Sequence, residues 1–520
     1  MRVLLVNSNR LKQPWPVLPF GLCCVASAVQ AAGHETRVLD LCFSRKPERD
    51  LKQALAAFRP DAVGVTVRNI DNASGYNTHF ELDDVKRDIL DPLKRLFDGP
   101  IVIGGPAAGI NAREMLDLFG LDYAIRGDGE AAMVELLRRW EASEDLTGMP
   151  GLVRRENGVF VDDNPPMRVG DLDTLPPARV WRWLDVAPYA RAGSPLQVQT
   201  KRGCPLHCAY CTYNSIEGRA WRLRDPRKVV DEIEEAVRES GIRAVEISDS
   251  VFNLPLDHAK AVLRELAARK LDAHIETMGL TPAAMDEELA DLLKAAGFRD
   301  LDLGVESASN ATLRGLGKTF DRDAVLRAGS LLHARGIPIR AWTLLLGGPG
   351  ETRETLRETF ETIAQAADPW DLVTVGIGMR LYNGSPAAEQ LRGDYPEAAK
   401  DNFLRPVSYR PAAIGLDEIK ALAKRETLRH SNWMLWDDGE GMNTPLALLV
   451  AANAFLKRFA PSQPLWRMFI VLRRLQMWTG VNAIKRLWHE MRYRKILARA
   501  KTPHANLTRD SLPAPASRSL

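Results

Sequence analysis

Two stretches of this chain alternate short β-branched runs with amphipathic helical segments, and a proline-rich tract divides them. In residues 1–150, "RVLLVN" gives way to the helical "GLCCVASAVQAAG", then to "ETRVLDL", a helix and "AVGVTV". "PIVIGG" and "YAIRGDGE" complete the series. Apolar runs of this length between helices predict strands buried on both faces, hence a parallel, doubly wound α/β sheet. Such sheets bind ligands at the carboxyl ends of their strands. Here those ends carry Asn7, Ser8, Arg68, Asn69, Asp71, Gly104, Gly105, Gly127 and Gly129, a polar and glycine-rich rim.

Residues 151–194, including "NPPMRVGDLDTLPPARVW", are rich in proline and acidic residues and predict a linker. From 195 to 400 the rhythm resumes with "PLQVQT", "AVEISD", "DAHIETM", "LDLGVES", "IPIRAWTLLLG" and "LVTVGIGMRL". Six strands with helices between them predict a partial parallel barrel whose chemistry sits on the loops after the strands. Residues 401–510 lose the strand pattern and predict a helical region, and 511–520, "SLPAPASRSL", predict a disordered tail.

A chain of 520 residues is too long for one core, which agrees with this division. Its formal charge of +3 points to no polyanionic partner. The opening "MRVLLVNSNR" reads as a strand rather than an export signal. No apolar run reaches the ~18 residues of a membrane span; the longest, "PLALLVAANAFL", predicts a packed helix. The cysteines, Cys23, Cys24, Cys42, Cys204, Cys208 and Cys211, are clustered rather than scattered, unlike a secreted disulfide framework. A reducing, cytoplasmic setting is expected.

"KRGCPLHCAYCTY", residues 201–213, follows the first strand of the second series and spaces its cysteines C-x₃-C-x₂-C. A structural zinc would normally take four ligands, often from two C-x₂-C pairs, and no second pair exists. His207 lies inside the loop, where adjacent ligands are hard to place around one ion. A cubane iron–sulfur cluster has four irons, and three thiolates leave one of them open, as catalysis requires. The spacing therefore favours a 4Fe-4S cluster on Cys204, Cys208 and Cys211 over zinc or free thiols.

With Tyr210 before the last cysteine, this stretch resembles the signature of the radical S-adenosylmethionine (SAM) superfamily. The resemblance extends over most of 195–390. It implies that the open iron binds SAM and that reduction of the cluster yields a 5′-deoxyadenosyl radical. "EISDSVFN" is similar to the second-strand motif and places Asp249 and Ser250 at the SAM amino group. "LGVESAS" is similar to the fourth-strand motif and places Glu306 at the ribose. "LLLGGPGET" is similar to the glycine motif beside the adenine, with Gly347, Gly348 and Gly350, although Leu344 and Leu346 replace its usual glycine and isoleucine. "GMRLYNGSP" is similar to the sixth strand.

The segments "PFGLCCVASAVQAAGHETRVLDL", "VGVTVRNIDN", "IVIGGPAAG" and "DYAIRGDGE" resemble the cobalamin-binding domain fused to many radical SAM enzymes. "GGPAAG" is not the dinucleotide fingerprint G-x-G-x-x-G. The resemblance implies that the nucleotide tail of cobalamin slides along Gly104 and Gly105, that Gly127 also contacts cobalamin, and that Arg68, Asn69 and Asp71 face the corrin. The loop after the first strand, "NSNRLKQPWPVLPFG", lacks the histidine with which many such domains ligate cobalt. Trp15 or Arg68 is left to cover that face. His34 and His79 are expected to be surface or packing residues, and Cys23 and Cys24 to pack as small apolar ones.

Together the resemblances imply methyl transfer to an unactivated carbon, through the 5′-deoxyadenosyl radical and methylcobalamin, on a small-molecule or lipid substrate. A cyclase or rearrangement enzyme using cobalamin without methyl transfer is the alternative. A non-catalytic iron–sulfur redox protein or cobalamin sensor is the reading from another class, and the missing fourth cysteine argues against it. A reductant such as flavodoxin or ferredoxin is implied as a partner. Residues 457–501 carry Lys457, Arg458, Arg467, Arg473, Arg474, Lys485, Arg486, Arg492, Arg494, Lys495, Arg499 and Lys501 among Trp466, Phe469, Trp478 and Trp488. This pattern fits helices packed on the barrel, then a peripheral contact with the inner membrane surface; nucleic acid ranks last.

Overall fold

The computed structural model describes residues 1–436 apart from 13–14, 76–77 and 299–300, together with isolated positions between 467 and 491. The expected disordered tail at 511–520 and most of the basic tract lie outside the described residues.

The first strands are β1 (Arg2–Asn7), β2 (Glu35–Asp40), β3 (Ala62–Thr66), β4 (Ile101–Gly104) and β5 (Tyr123–Ile125). They pair in parallel in the order β2-β1-β3-β4-β5. Val3, Leu4, Leu5 and Val6 are all nearly inaccessible, as a strand covered on both faces requires. One layer of helices includes Phe20–Ala31 and Gly129–Ala142, which pack together over Leu5, Val102 and Ile125. The chain runs outward in opposite directions from β1 and from β3, so a crevice opens at their carboxyl ends.

The linker expected from 151 begins later. Strands β6 (Leu152–Glu156) and β7 (Val159–Asp163) continue the same sheet, both antiparallel. Their turn is Asn157-Gly158, both with positive φ (49° and 80°), which is the backbone that a two-residue hairpin matching the twist of its strands needs. The remaining crossing segment is packed rather than loose. Tyr189 is fully buried and its hydroxyl donates to Asp40 at 2.9 Å; the Trp183 indole N–H donates to Ser27 at 3.0 Å.

All six strands expected of the second unit are present. β8 (Leu196–Val198) is followed by a short ribbon, β9 (Lys201–Arg202) with β10 (Arg222–Leu223), that closes the cysteine loop. Then come β11 (Ala244–Ile247), β12 (His274–Thr277), β13 (Leu301–Glu306), β14 (Ile339–Leu346) and β15 (Val373–Ile377). The orders β8-β11-β12 and β13-β14-β15 are wholly parallel, and a bridge between Leu280 and Leu303 joins the two sheets into one curved wall. The region expected to be only helical supplies one more strand, β16 (Trp433–Leu435), parallel to β15. Trp433 packs edge-on against Phe360, and that burial holds a three-residue strand. Two described basic residues beyond it are spent on the barrel: Arg473 donates to the Thr427 carbonyl, and Arg474 donates to the Pro369 carbonyl at 2.6 Å while lying over the Trp370 ring.

The two units meet through buried polar contacts. Arg380, after β15, pairs with Asp71 at 2.9 Å, and both are almost inaccessible; Tyr382 donates to the same carboxylate at 2.8 Å. Arg202 bridges Asp128 at 3.0 Å and Glu130 at 2.6 Å.

Candidate functional site

The cysteine loop leaves the barrel at β8, runs through the ribbon and ends in the helix Tyr213–Glu217. Gly203 has φ +91°, and a Cβ there would collide with the Ala220 carbonyl, so only glycine lets the two arms close. Backbone bonds fix the rest: Cys204 N–H to Gly218 O at 3.0 Å, Ala209 N–H to Leu316 O at 2.9 Å and Cys211 N–H to Cys208 O at 3.0 Å. Cys204 is buried, and Cys208 and Cys211 are half-buried. Burial pushes all three thiols up, Cys211 to about 11, while the nearby Lys318 ammonium partly opposes this at Cys208 and Cys211.

Around one zinc the sulfurs would stand about 3.8 Å apart, given Zn–S bonds of about 2.3 Å in a tetrahedron. Among the described residues only His79, Glu81 and Asp84 bring three ligand atoms within 4.8 Å of one another; the cysteines, with or without the exposed His207, do not. Thiolates on different irons of one cluster need this wider spread. The donor set fits a cubane better than a single ion.

Three long-range partners gather beside the loop. Tyr210 donates to Glu306 Oε1 at 2.5 Å, and Lys318 Nζ lies 2.8 Å from Glu306 Oε2 and 2.9 Å from the tyrosine oxygen. Glu306 ends β13 with φ +57°, a conformation rare outside glycine, which turns its carboxylate back toward the loop. Lys318 was not singled out from the sequence. A lone lysine in "GLGKTF" is unremarkable until the fold buries it beside an acid.

The other expected SAM contacts divide. Ser250 donates to the Gly203 carbonyl at 3.3 Å and lies beside the Cys204 thiol. Asp249 instead is fully committed inside the protein: it accepts from Thr200 N–H at 2.8 Å, from Thr200 Oγ1 at 2.6 Å and from Lys201 Nζ at 2.6 Å. It ties the end of β8 to the loop after β11 rather than presenting a free acceptor. Gly348 and Gly350 lie where the loop after β14 crosses the segment 311–316; a Cβ on Gly348 would meet Leu316 at 2.7 Å. Close chain packing accounts for these glycines.

A cavity of about 410 Å³ runs from the barrel mouth into the crevice of the sheet. Gln197, Gln199 and Ser248 line it on the barrel side, and Tyr213, Ile216 and Glu217 bring the helix that follows the cysteines to its wall. On the sheet side it reaches Leu5, Gly64, Val102 and Met133, deep between strands and helices. Arg68, Asn69, Gly104, Gly105 and Gly127 all line it. A Cβ on Gly21 would meet nothing within 4 Å, and one on Gly104 only the Ile125 carbonyl at 4.0 Å, so the backbone itself borders the space. An apolar slot floored by bare backbone fits the nucleotide tail of cobalamin. Of the two residues left for the cobalt face, Arg68 stands in the cavity wall, where desolvation lowers its pKa, and Trp15 is exposed.

Asp71 does not join this set. Its carboxylate is spent on Arg380 and Tyr382, so it latches the loop after β3 to the barrel rather than facing a corrin. His34 is buried beside the N-terminal amine, and exposed His79 pairs with Asp84 at 2.6 Å. Cys23 and Cys24 are buried among apolar residues. Arg202, Asp128 and Glu130, which border the cavity and join the units, also escaped the sequence reading, because the pairing needs positions 72 and 74 residues apart to meet.

Comparison with known proteins agrees with this geometry. The Radical SAM superfamily matches residues 198–363, and the B12 binding domain matches residues 12–137. Tryptophan 2-C-methyltransferase of Streptomyces laurentii is 29% identical over 460 residues, covering 75% of each chain. A solved structure of the radical SAM methyltransferase TsrM of Kitasatospora setae, with tryptophan and a SAM analogue, is 30% identical and covers 75% of this chain and 76% of its own, with TM-score 0.68. Its form with cobalamin and a [4Fe-4S] cluster covers 92% of this chain and 99% of its own at 25% identity, with TM-score 0.77. Hopanoid C-3 methylase of Methylococcus capsulatus is 26% identical over 363 residues, 67% of this chain and 63% of its own.

Proposed function

The chain belongs to the radical SAM methyltransferases that carry a B12-binding domain, and from that premise we propose that it methylates an unactivated carbon of a small molecule held between barrel and sheet. The observation that carries this reading is the single cavity that connects the glycine-floored slot to the barrel mouth beside the cysteine loop. When bound, the cluster, SAM and cobalamin supply hydrogen abstraction and a transferable methyl group. The chain's own residues hold, orient and shield them.

Cys204, Cys208 and Cys211 are proposed as the three ligands of the cluster. A thiol ligates iron as thiolate, so each must lose its proton on binding, and burial, which raises all three, works against that loss until the iron is present. Tyr210, Ser250, Glu306, Gly348 and Gly350 remain the proposed surroundings of SAM. The Lys318 ammonium holds the Glu306 carboxylate in place, and Tyr210 donates to it from the loop itself. Asn69, Gly104, Gly105, Gly127 and Arg68 would border cobalamin, and Arg68 would be the charged side chain available to its corrin, since the loop after the first strand offers no histidine. An electron donor such as flavodoxin or ferredoxin belongs to the same proposal. Among the described residues no helix is long and apolar enough to cross a membrane.

The test is anaerobic. The protein is purified with iron, sulfide and cobalamin supplied, its absorption and electron paramagnetic resonance spectra are recorded, and SAM and dithionite are added. The expected result is a four-iron spectrum perturbed by SAM, with bound cobalamin and release of 5′-deoxyadenosine. Cluster without cobalamin would remove methyl transfer, and zinc with neither group would overturn the reading entirely.

A further inference from the structure

The inside of the barrel carries a polar floor that none of the expected cofactor contacts uses. Gln197 of β8, Glu246 of β11 and Glu276 of β12 stand side by side in register. Their strand neighbours Val198, Val245, Ile247 and Ile275 are buried on the opposite face, in the core against the helices. Alternation along the strands therefore turns the three polar side chains inward. Asp302 and Arg340 complete the floor: Arg340 grips Asp302 with two bonds of 2.8 Å and donates also to Glu276.

One guanidinium thus serves two carboxylates, and the third stands apart. Glu246 is 8% exposed, and its Oε2 accepts from the Gln197 amide at 3.1 Å. Among the described residues its Oε1 has no hydrogen-bond partner, and no cation lies within salt-bridge reach of either oxygen. Arg340 and Arg68 act on it only at longer range, and burial outweighs them in raising its pKa. A carboxylate so enclosed is costly unless a positive or donor group meets it.

The space for such a group is present. Above the floor Gly304 and Gly376 occupy positions inside β13 and β15, where a Cβ would make only ordinary contacts at 3.5–3.6 Å. Thr343 and Met278 are exposed although they lie on barrel strands or just beyond them, so the surface they show is that of the lumen. Gln197, the partner of Glu246, lines the same cavity that reaches the sheet.

We propose that Glu246 is the group that anchors the substrate, and that the substrate is a polar small molecule with a protonated amine or other cationic nitrogen seated on Oε1. The proposal rests on the methyltransferase reading above and adds the substrate's chemical class. A hydrocarbon ring system would desolvate this floor and return no hydrogen bond to it. On this criterion the chain stands apart from a methylase acting on hopanoids.

The test uses the full-length protein loaded with cluster and cobalamin, SAM carrying a deuterated methyl group, and a metabolite extract of the source cells. The extract is divided into compounds retained by strong cation exchange at pH 2, where amines and amino acids are both cationic, other water-soluble compounds, and the organic phase. Label is expected in the cation-exchange fraction. Glu246→Gln should lower that labelling about 10- to 100-fold, the loss expected for a charge-assisted bond, with cluster and cobalamin content unchanged. Glu246→Asp, which keeps the charge, should recover part of it and serves if the glutamine variant loads poorly. Label in the organic phase, label confined to uncharged compounds, or wild-type labelling by Glu246→Gln would each overturn the proposal. Failure of the wild-type protein to load either group, or loaded protein that labels no fraction, would overturn the methyltransferase reading and the proposal with it.

Discussion

The sheet and the barrel build their halves of one cavity from opposite materials. The sheet offers mainly backbone: glycines at strand ends and apolar side chains from Leu5 to Met133, with Arg68, Asp128 and Glu130 as its charged groups. The barrel offers side chains: Gln197, Gln199, Arg202, Tyr213, Glu217 and Ser248 on the cavity wall, and in the same unit the three cysteines, the Tyr210–Glu306–Lys318 cluster and the floor around Glu246. A site made of backbone recognises shape and tolerates many sequences that keep its glycines. A site made of charged groups recognises chemistry and fails when one member is lost. The two halves should therefore break independently and by different substitutions.

The largest effect expected is on the barrel side. Replacing Cys204, Cys208 or Cys211 with alanine should leave SAM cleavage undetectable and iron content near zero, while cobalamin still copurifies with the sheet. Iron and cobalt analysis of the same sample checks both halves of the statement. Loss of cobalamin together with iron would mean that the halves depend on one another. The reciprocal break is Gly104→Leu, which puts four carbons where only the Ile125 carbonyl now borders a Cβ. Cobalamin content should fall about tenfold or more, on the order of 1.4 kcal/mol of binding free energy, with the cluster spectrum intact. Retention of cobalamin would place the tail elsewhere.

The joint between the halves gives the next effect. Arg380→Met leaves the Asp71 carboxylate buried with only Tyr382 as a side-chain donor. Breaking a buried pair in this way costs about 3–5 kcal/mol, read as a lower denaturation midpoint at unchanged slope. If instead the midpoint holds and only cobalamin affinity changes, Asp71 faces the ligand after all.

The same contrast explains what could be read from the sequence. Strands announce themselves through Val, Ile and Leu runs, so the six barrel strands β8 and β11–β15 were legible, as were Gly104, Gly105 and Gly127 at strand ends; Gly21 and Gly64, which also line the slot, were not. β6 and β7 were hidden in a charged tract, "RRENGVFVDD", although its Asn-Gly pair is a hairpin signal. β16 has only three residues and is held by packing of Trp433 rather than by any local pattern. The cysteine cluster was legible because three thiols sit within eight positions. Asp71, Asp249, Lys318 and Glu246 were not, because the role of a charged residue depends on a partner brought from afar. Asp71 meets a residue 309 positions away, and Lys318 meets one 108 away. Position on a strand end predicts that a side chain is near the site; only the partner decides whether it is free to serve it.

The smallest effect concerns pH, and it falls on the barrel more than on the sheet. His333 bonds to Asp371 at 2.8 Å, and that bond raises the histidine pKa; the carboxylate is inaccessible and also accepts from Ile339 N–H and the Trp342 indole. A histidine held above its unfolded value of about 6.5 stabilises the fold fully below that pH. The contribution disappears as pH rises through the raised folded value. His258, enclosed near the end of β8, has its pKa lowered by burial and acts in the opposite sense. It costs nothing above about pH 6.5 and destabilises as pH falls through that value. The two titrations together should give the barrel a stability maximum near pH 6.5. In the sheet, His79 is also raised by its bond to Asp84, but that pair is exposed and screened, so it should contribute little. Thermal unfolding followed between pH 5.5 and 8.5 should show the maximum in the wild-type protein. His333→Gln should lower the melting temperature at pH 6 and converge with wild type at pH 8.5, and His258→Gln should flatten only the acid side. A convergence on the acid side for His333→Gln would reverse the sign and show that the imidazole is held neutral beside Asp371.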